Sequence, residues 1–117
     1  MNQAEYQKRA EKLTRNYNQL LAKPNAIDPD WDNGWYERFQ NPALTRHHVP
    51  LTWRYDLDPG RNPYLLERMG INAVMNSGAI EHDGKVILVP RIEGYDRKSF
   101  FGIAESINGI DGFEFRR

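Results

Sequence analysis

Two short clusters carry the side chains best suited to gripping a polar ligand. The first is Asn76-Ser77-Gly78-Ala79, small and polar inside an otherwise apolar run. A glycine in such a run weakens a strand and marks either a bulge or close approach by a ligand or another backbone. The second is RIEGYDRKS, Arg91 to Ser99, which sets Arg91 and Arg97 around Gly94 with Glu93 and Asp96 between them. Two guanidinium forks can hold a phosphate or the hydroxyls of a sugar. The plainer reading is a solvated salt-bridge loop, and composition alone favours it.

Other chemistry-bearing residues carry less. DPDWDNG, Asp28 to Gly34, spaces Asp28, Asp30 and Asp32 like the start of a calcium loop. The glycine falls one place late, and Phe39 stands where the bidentate glutamate belongs, so no calcium site is expected. His47 and His48 are adjacent and would point to opposite sides of an extended strand. No cysteine or HExxH pattern supports them, and no metal site is expected. His82 falls in a turn. No GxSxG or P-loop pattern appears. No pair of carboxylates is placed by spacing alone as an acid/base couple.

The 117 residues balance 16 basic against 16 acidic side chains. Zero net charge argues against nucleic acid, which needs a basic field, and against an anionic membrane surface. With no cysteine there is neither a disulfide framework nor a thiolate metal site. The N-terminus, MNQAEYQKRAEKLTRN, lacks the apolar centre of a signal peptide. No apolar run approaches the roughly 20 residues of a membrane span. A cytoplasmic location is expected.

Three segments must position these residues. Residues 1–23 read as an amphipathic helix whose stripe is Tyr6, Ala10, Leu13, Tyr17, Leu20 and Leu21. Glu5 with Arg9 and Glu11 with Arg15 are i,i+4 pairs, and Lys23-Pro24 stops the helix. The stripe suits either a partner helix, which would make a homo-oligomer, or the chain's own core. Residues 24–70 are an irregular connecting segment punctuated by proline, with extended pieces such as Val49 to Tyr55 and a helical turn over Pro63 to Met69. A connection this long is functional or wraps something larger. Residues 71–117 read as four antiparallel strands: 71–82, a turn at His82-Asp83-Gly84, 85–91, a polar loop over 92–97, 99–104, and 113–116. That unit has the size of one propeller blade. No second copy of it occurs, so the choice lies between a small α+β domain and the start of a longer propeller.

From Trp53 to Phe115 the order WRYDL, NPYLLER, NSGA and RIEGYDRKSFF resembles the N-terminal region of glycoside hydrolase family 130, the mannoside phosphorylases. NPALTRHHVPLTWRYDL extends the resemblance to residues 41–117, and it is strongest to members acting on mannosyl-glucose. It implies a mainly β fold: an N-terminal helix, then the first blade of a five-bladed β-propeller, incomplete in this chain. It implies inverting phosphorolysis of a β-1,4-mannosyl-glucose or related mannoside to α-mannose 1-phosphate. Inorganic phosphate would be co-substrate, with no cofactor and no metal. Asn76, Ser77, Arg91 and Arg97 then match substrate-binding positions, and Glu93 and Asp96 would orient the arginines. The general-acid aspartate is expected beyond residue 117, so none of these residues is catalytic and the chain alone should be inactive. Two departures stand out. Pro90 interrupts the second strand beside Arg91, and Ser77 replaces an alanine frequent in relatives. Two other readings remain open. One is a non-catalytic carbohydrate-binding or oligomerisation module. The other is part of a family 130 β-mannoside hydrolase, with water in place of phosphate.

Overall fold

The computed structural model describes residues 1–117. The N-terminal helix α1 spans Gln3–Ala22. Asn2 caps it, its side chain accepting from Glu5 N at 2.8 Å. Lys23 is already extended, as the proline after it requires. Glu5 pairs with Arg9 at 3.5 Å, whereas Glu11 accepts from Gln7 rather than pairing with Arg15. The apolar stripe turns inward, burying Tyr6 and Tyr17 against the chain's own connecting segment. Their phenol oxygens find no hydrogen-bond partner, so the rings contribute by area and not by hydroxyl bonding. No helix is long and apolar enough to cross a membrane.

The connecting segment holds a 3-10 turn, Arg46–His48, and a single helical turn α2, Leu51–Arg54. The second corrects the extended reading of Val49 to Tyr55. Tyr55 N donates to Leu51 O at 2.7 Å, and the turn buries Leu51 while setting Trp53 against the sheet. Packing overrides the strand preference of the local sequence here. The helical turn expected over Pro63 to Met69 is also corrected. Leu65 has φ 50°, and Glu67 bridges to Tyr55 instead. Asn62 organises this bend, donating to Asp56 O and Leu66 O and accepting from Leu66 N, each at 2.9 Å.

The sheet is antiparallel, built from β1 (Ile71–His82), β2 (Lys85–Gly94), β3 (Ser99–Phe101), β4 (Ala104–Ser106) and β5 (Glu114–Phe115). The spatial order is β1-β2-β4-β5, with β3 also on β2. With the single helix before it, the protein is mainly β, as expected. Asp83 and Gly84, both at positive φ, make the two-residue turn read from the sequence. β2 runs three residues further than expected, to Gly94, because its end pairs with β3. The strand expected over 99–104 is two pieces, broken at Gly102–Ile103. Gly102 N donates to Pro90 O at 3.2 Å, but Pro90 has no N–H to return, and regular pairing stops there.

One face of this sheet is closed. Val49, Ile71, Ile92, Ala104 and Phe115 form the core, with Leu44, Trp53, Met69 and Val74 packed around them. The Trp53 ring lies 6.2 Å from Phe100 and 6.0 Å from Phe115. The opposite face is open, with Phe101 72% exposed. The accessible surface is 8264 Å², against about 6,600 Å² for a compact monomer of this mass. The radius of gyration is 16.5 Å, against about 13 Å for this length. The chain thus carries more unburied surface than a self-contained domain.

A Cβ on Gly102 would fall 2.7 Å from Ile92 Cδ1 and 2.8 Å from Phe115 Cε1. Gly102→Ala should therefore cost about 1–3 kcal/mol by overpacking, read as a lower midpoint in urea unfolding. His48 closes the 3-10 turn as a capping box, its Nδ1 accepting from Thr45 N at 2.9 Å. Burial, then the neighbouring His47, holds its pKa below the usual histidine range. The unfolded chain takes up that proton more readily. Stability should be full above about pH 6.5 and fall as pH drops from there toward the lowered folded value. His48→Gln, which keeps the acceptor without titrating, should flatten that slope in pH-dependent melting.

Candidate functional site

Of the expected site residues, Asn76 and Ser77 fall on the edge strand β1, Arg91 and Glu93 on β2 beside it, and Asp96 and Arg97 in the turn after β2. The β1–β2 register pairs Met75 with Arg91 and Gly78 with Val89. Asn76 and Ser77 therefore oppose the single residue Pro90, which is a β-bulge. Asn76 adopts φ 52°, a left-handed conformation that asparagine tolerates better than most residues. Ser77 Oγ donates to Gly78 O at 2.7 Å, and both side chains are exposed. The bulge alternative for this cluster is the one observed, and it leaves two polar side chains displayed on a free strand edge. A second irregularity lies between Ile71 and Ala73. It presents Asn72, whose amide donates to Glu93 Oε1 at 2.8 Å.

Arg91 lies on the open face of the sheet, between its cross-strand neighbours Met75 and Phe101. Its guanidinium is half-buried. Nη2 approaches Met75 Sδ at 3.0 Å, and Nε is buried without a partner. No carboxylate pairs with it. The contrast is with Arg54, also half-buried, which holds Glu67 at 2.9 Å, and with Arg61 and Arg116, which hold Asp56 and Glu105 at 2.7 Å each. A partly desolvated charge with no counter-charge is costly and is matched from outside the chain or not at all.

Arg97 sits in the turn after β2 at φ 64°, its N–H donating to Gly94 O at 3.0 Å. Its side chain is exposed and unpaired. The turn is three residues beyond Arg91, roughly 10 Å along the strand. The structure thus brings Arg91 together with the Asn76–Ser77 bulge and leaves Arg97 at the far end of the same strip. The orienting contacts expected from Glu93 and Asp96 are not made to either arginine. Glu93 is engaged by Asn72, and Asp96 Oδ1 accepts from Lys98 N at 3.0 Å, which shapes the turn. Spacing alone missed Asn72 and Met75. A bulge shifts register by one residue, so neither neighbour can be named without the pairing.

Asp28, Asp30 and Asp32 do not converge with other ligands into a metal-binding group. Asp28 and Asp32 instead accept backbone N–H groups of their own loop.

No protein-family model matches the chain. Over 104 residues, 89% of its length, it is 49% identical to the 4-O-β-D-mannosyl-D-glucose phosphorylase of Bacteroides fragilis. The match covers 26% of that protein, so the chain spans well under half of its length. The resemblance to mannoside phosphorylases read from the motifs is thus borne out.

The unpaired guanidinium makes a stability prediction. Arg91→Met removes a half-buried charge while keeping volume, and should leave stability unchanged or raise it by about 1 kcal/mol. A melting temperature that falls by several degrees would show that the chain itself satisfies the charge.

Proposed function

We propose that this chain forms part of the sugar-holding site of an inverting β-mannoside phosphorylase, as the start of its propeller. The observation that carries the reading is the 49% identity to a mannosyl-glucose phosphorylase. The unpaired, half-buried Arg91 beside two displayed amide and hydroxyl groups supports it. Guanidinium N–H groups donate to sugar hydroxyl oxygens, and the Asn76 amide and Ser77 hydroxyl can both donate and accept. A neutral mannosyl unit suits such donors, and phosphate oxygens suit them equally.

In the proposed reaction a phosphate oxygen attacks the anomeric carbon from the face opposite the leaving sugar. The β-glycosidic bond to the leaving oxygen breaks with its electron pair. That oxygen takes its proton from an aspartate, relayed through a hydroxyl of the mannosyl unit. The products are α-mannose 1-phosphate and, for a mannosyl-glucose, glucose. The aspartate lies outside residues 1–117 in this proposal, and Arg91, Asn76 and Ser77 position the mannosyl unit. No cofactor or metal takes part, and the protein works in the cytoplasm.

A chimera tests this. Residues 1–117 replace the matching segment of the Bacteroides fragilis enzyme, and mannose 1-phosphate release is measured. The chimera should turn over mannosyl-glucose, and Arg91→Met within it should lower kcat/KM by roughly 100-fold, the loss of one charged hydrogen-bond set. An active chimera indifferent to Arg91→Met would remove that residue from the site. A folded chimera without phosphorolysis would sink the functional reading.

A further inference from the structure

We propose that the hairpin loop between Ile27 and Phe39 is a second carbohydrate-contact site, a stacking platform formed by Trp35, Tyr36 and Trp31. The neck of the loop is closed. Ile27 and Phe39 form an isolated bridge, Asp28 N donates to Arg38 O at 2.6 Å, and Gln40 N donates to Ala26 O at 2.8 Å. The tip is turned by side-chain acceptors. Asp28 Oδ1 accepts from Asp30 N at 3.0 Å and Asp32 Oδ1 from Gly34 N at 2.7 Å. Asn33 Oδ1 accepts from both Trp35 N at 3.0 Å and Tyr36 N at 3.1 Å. Gly34 supplies the φ of 77° that the reversal needs.

The backbone is therefore ordered while the rings are open. Trp35 is 91% exposed and Tyr36 is 65% exposed. Trp31 and Tyr36 brace each other at 4.9 Å between centroids, which leaves both faces of the Trp35 ring in solvent. A fixed loop that holds large aromatic rings in water contributes nothing to a core, and such loops commonly bind.

The chemistry of the tip selects the ligand class. The aromatic faces match the apolar C–H face of a pyranose ring. Residues 28–38 carry four carboxylates, Asp28, Asp30, Asp32 and Glu37, against one arginine, Arg38. That excess repels phosphate and nucleic acid, while carboxylate oxygens accept hydroxyl protons. Apart from Pro29, no aliphatic side chain lies among residues 28–38 to pack a dry protein interface. The platform thus fits a neutral sugar unit, not the phosphate end of the reaction. The choice of a mannoside rests on the functional reading above.

The chain is titrated with β-1,4-mannobiose, following tryptophan emission and saturation-transfer NMR. Trp35 emission should shift to the blue, and saturation should pass from aromatic protons to sugar C–H protons. Trp35→Ala should weaken binding roughly tenfold, and Trp35→Phe should keep most of it. Arg91→Met separates the two sites. If Trp35→Ala binds like the parent while Arg91→Met loses binding, the platform is overturned and the functional reading stands. If binding survives Arg91→Met and is lost in Trp35→Ala, the platform stands and Arg91 is not the mannoside contact. No sugar-induced change in the parent at tens of millimolar overturns the platform. A blue shift that follows protein concentration without sugar also overturns it, marking the tip as a surface for self-association.

Discussion

A proline in the central strand governs the geometry around the candidate site. Pro90 accepts one hydrogen bond from Gly102 and can return none. The third strand breaks at that level into β3 and β4, and on the other side two residues of β1 face the proline where one would do. The two irregularities meet at Pro90, next to Arg91 on β2 and opposite Asn76 and Ser77 on β1. A regular ladder would alternate these side chains mechanically. The bulge instead puts Asn76 in a left-handed conformation and lets Asn76 and Ser77 both project from the edge beside Arg91.

The distribution of charge follows the same division. Away from the site, several charged groups are matched within the chain. Arg61 lies between Asp56 and Asp58, and Glu105 is held between Lys85 and Arg116. Direct hydrogen bonds to these cations push the Asp56 and Glu105 carboxyls below the usual range. On β2, Lys85 is matched in this way and Arg91 is not. The Arg91 guanidinium meets the Met75 thioether and has no oxygen acceptor.

The open sheet face and the closed one divide the molecule in two. The connecting segment, through Val49, Trp53 and Met69, plugs one face and gives the chain its only core. Asn25 ties the end of α1 to the last loop, donating through its backbone to Asp111 Oδ2 and through its amide to Ile110 O. The helix, the segment and the sheet therefore form one body without covering the second face. An excess of accessible surface over a compact monomer is what a chain related to 26% of a larger enzyme would carry.

Much of this was legible in the residues, for local reasons. The helix stripe, its stop at Lys23-Pro24, the Asp83-Gly84 turn and the first strand depend on neighbours within a few positions, and each appears where local chemistry puts it. The family resemblance was legible as well, because ordered motifs survive in sequence. What depended on partners distant in sequence was not. Whether Val49 to Tyr55 extended or coiled was settled by what Leu51 and Trp53 could bury against the sheet. Whether Glu93 oriented an arginine or engaged Asn72 was settled by a register shift of one residue. The residues determined which groups could hold a sugar; only the pairing of β1 with β2 decided which of them stand together, because strand register is a property of two segments and is written in neither alone.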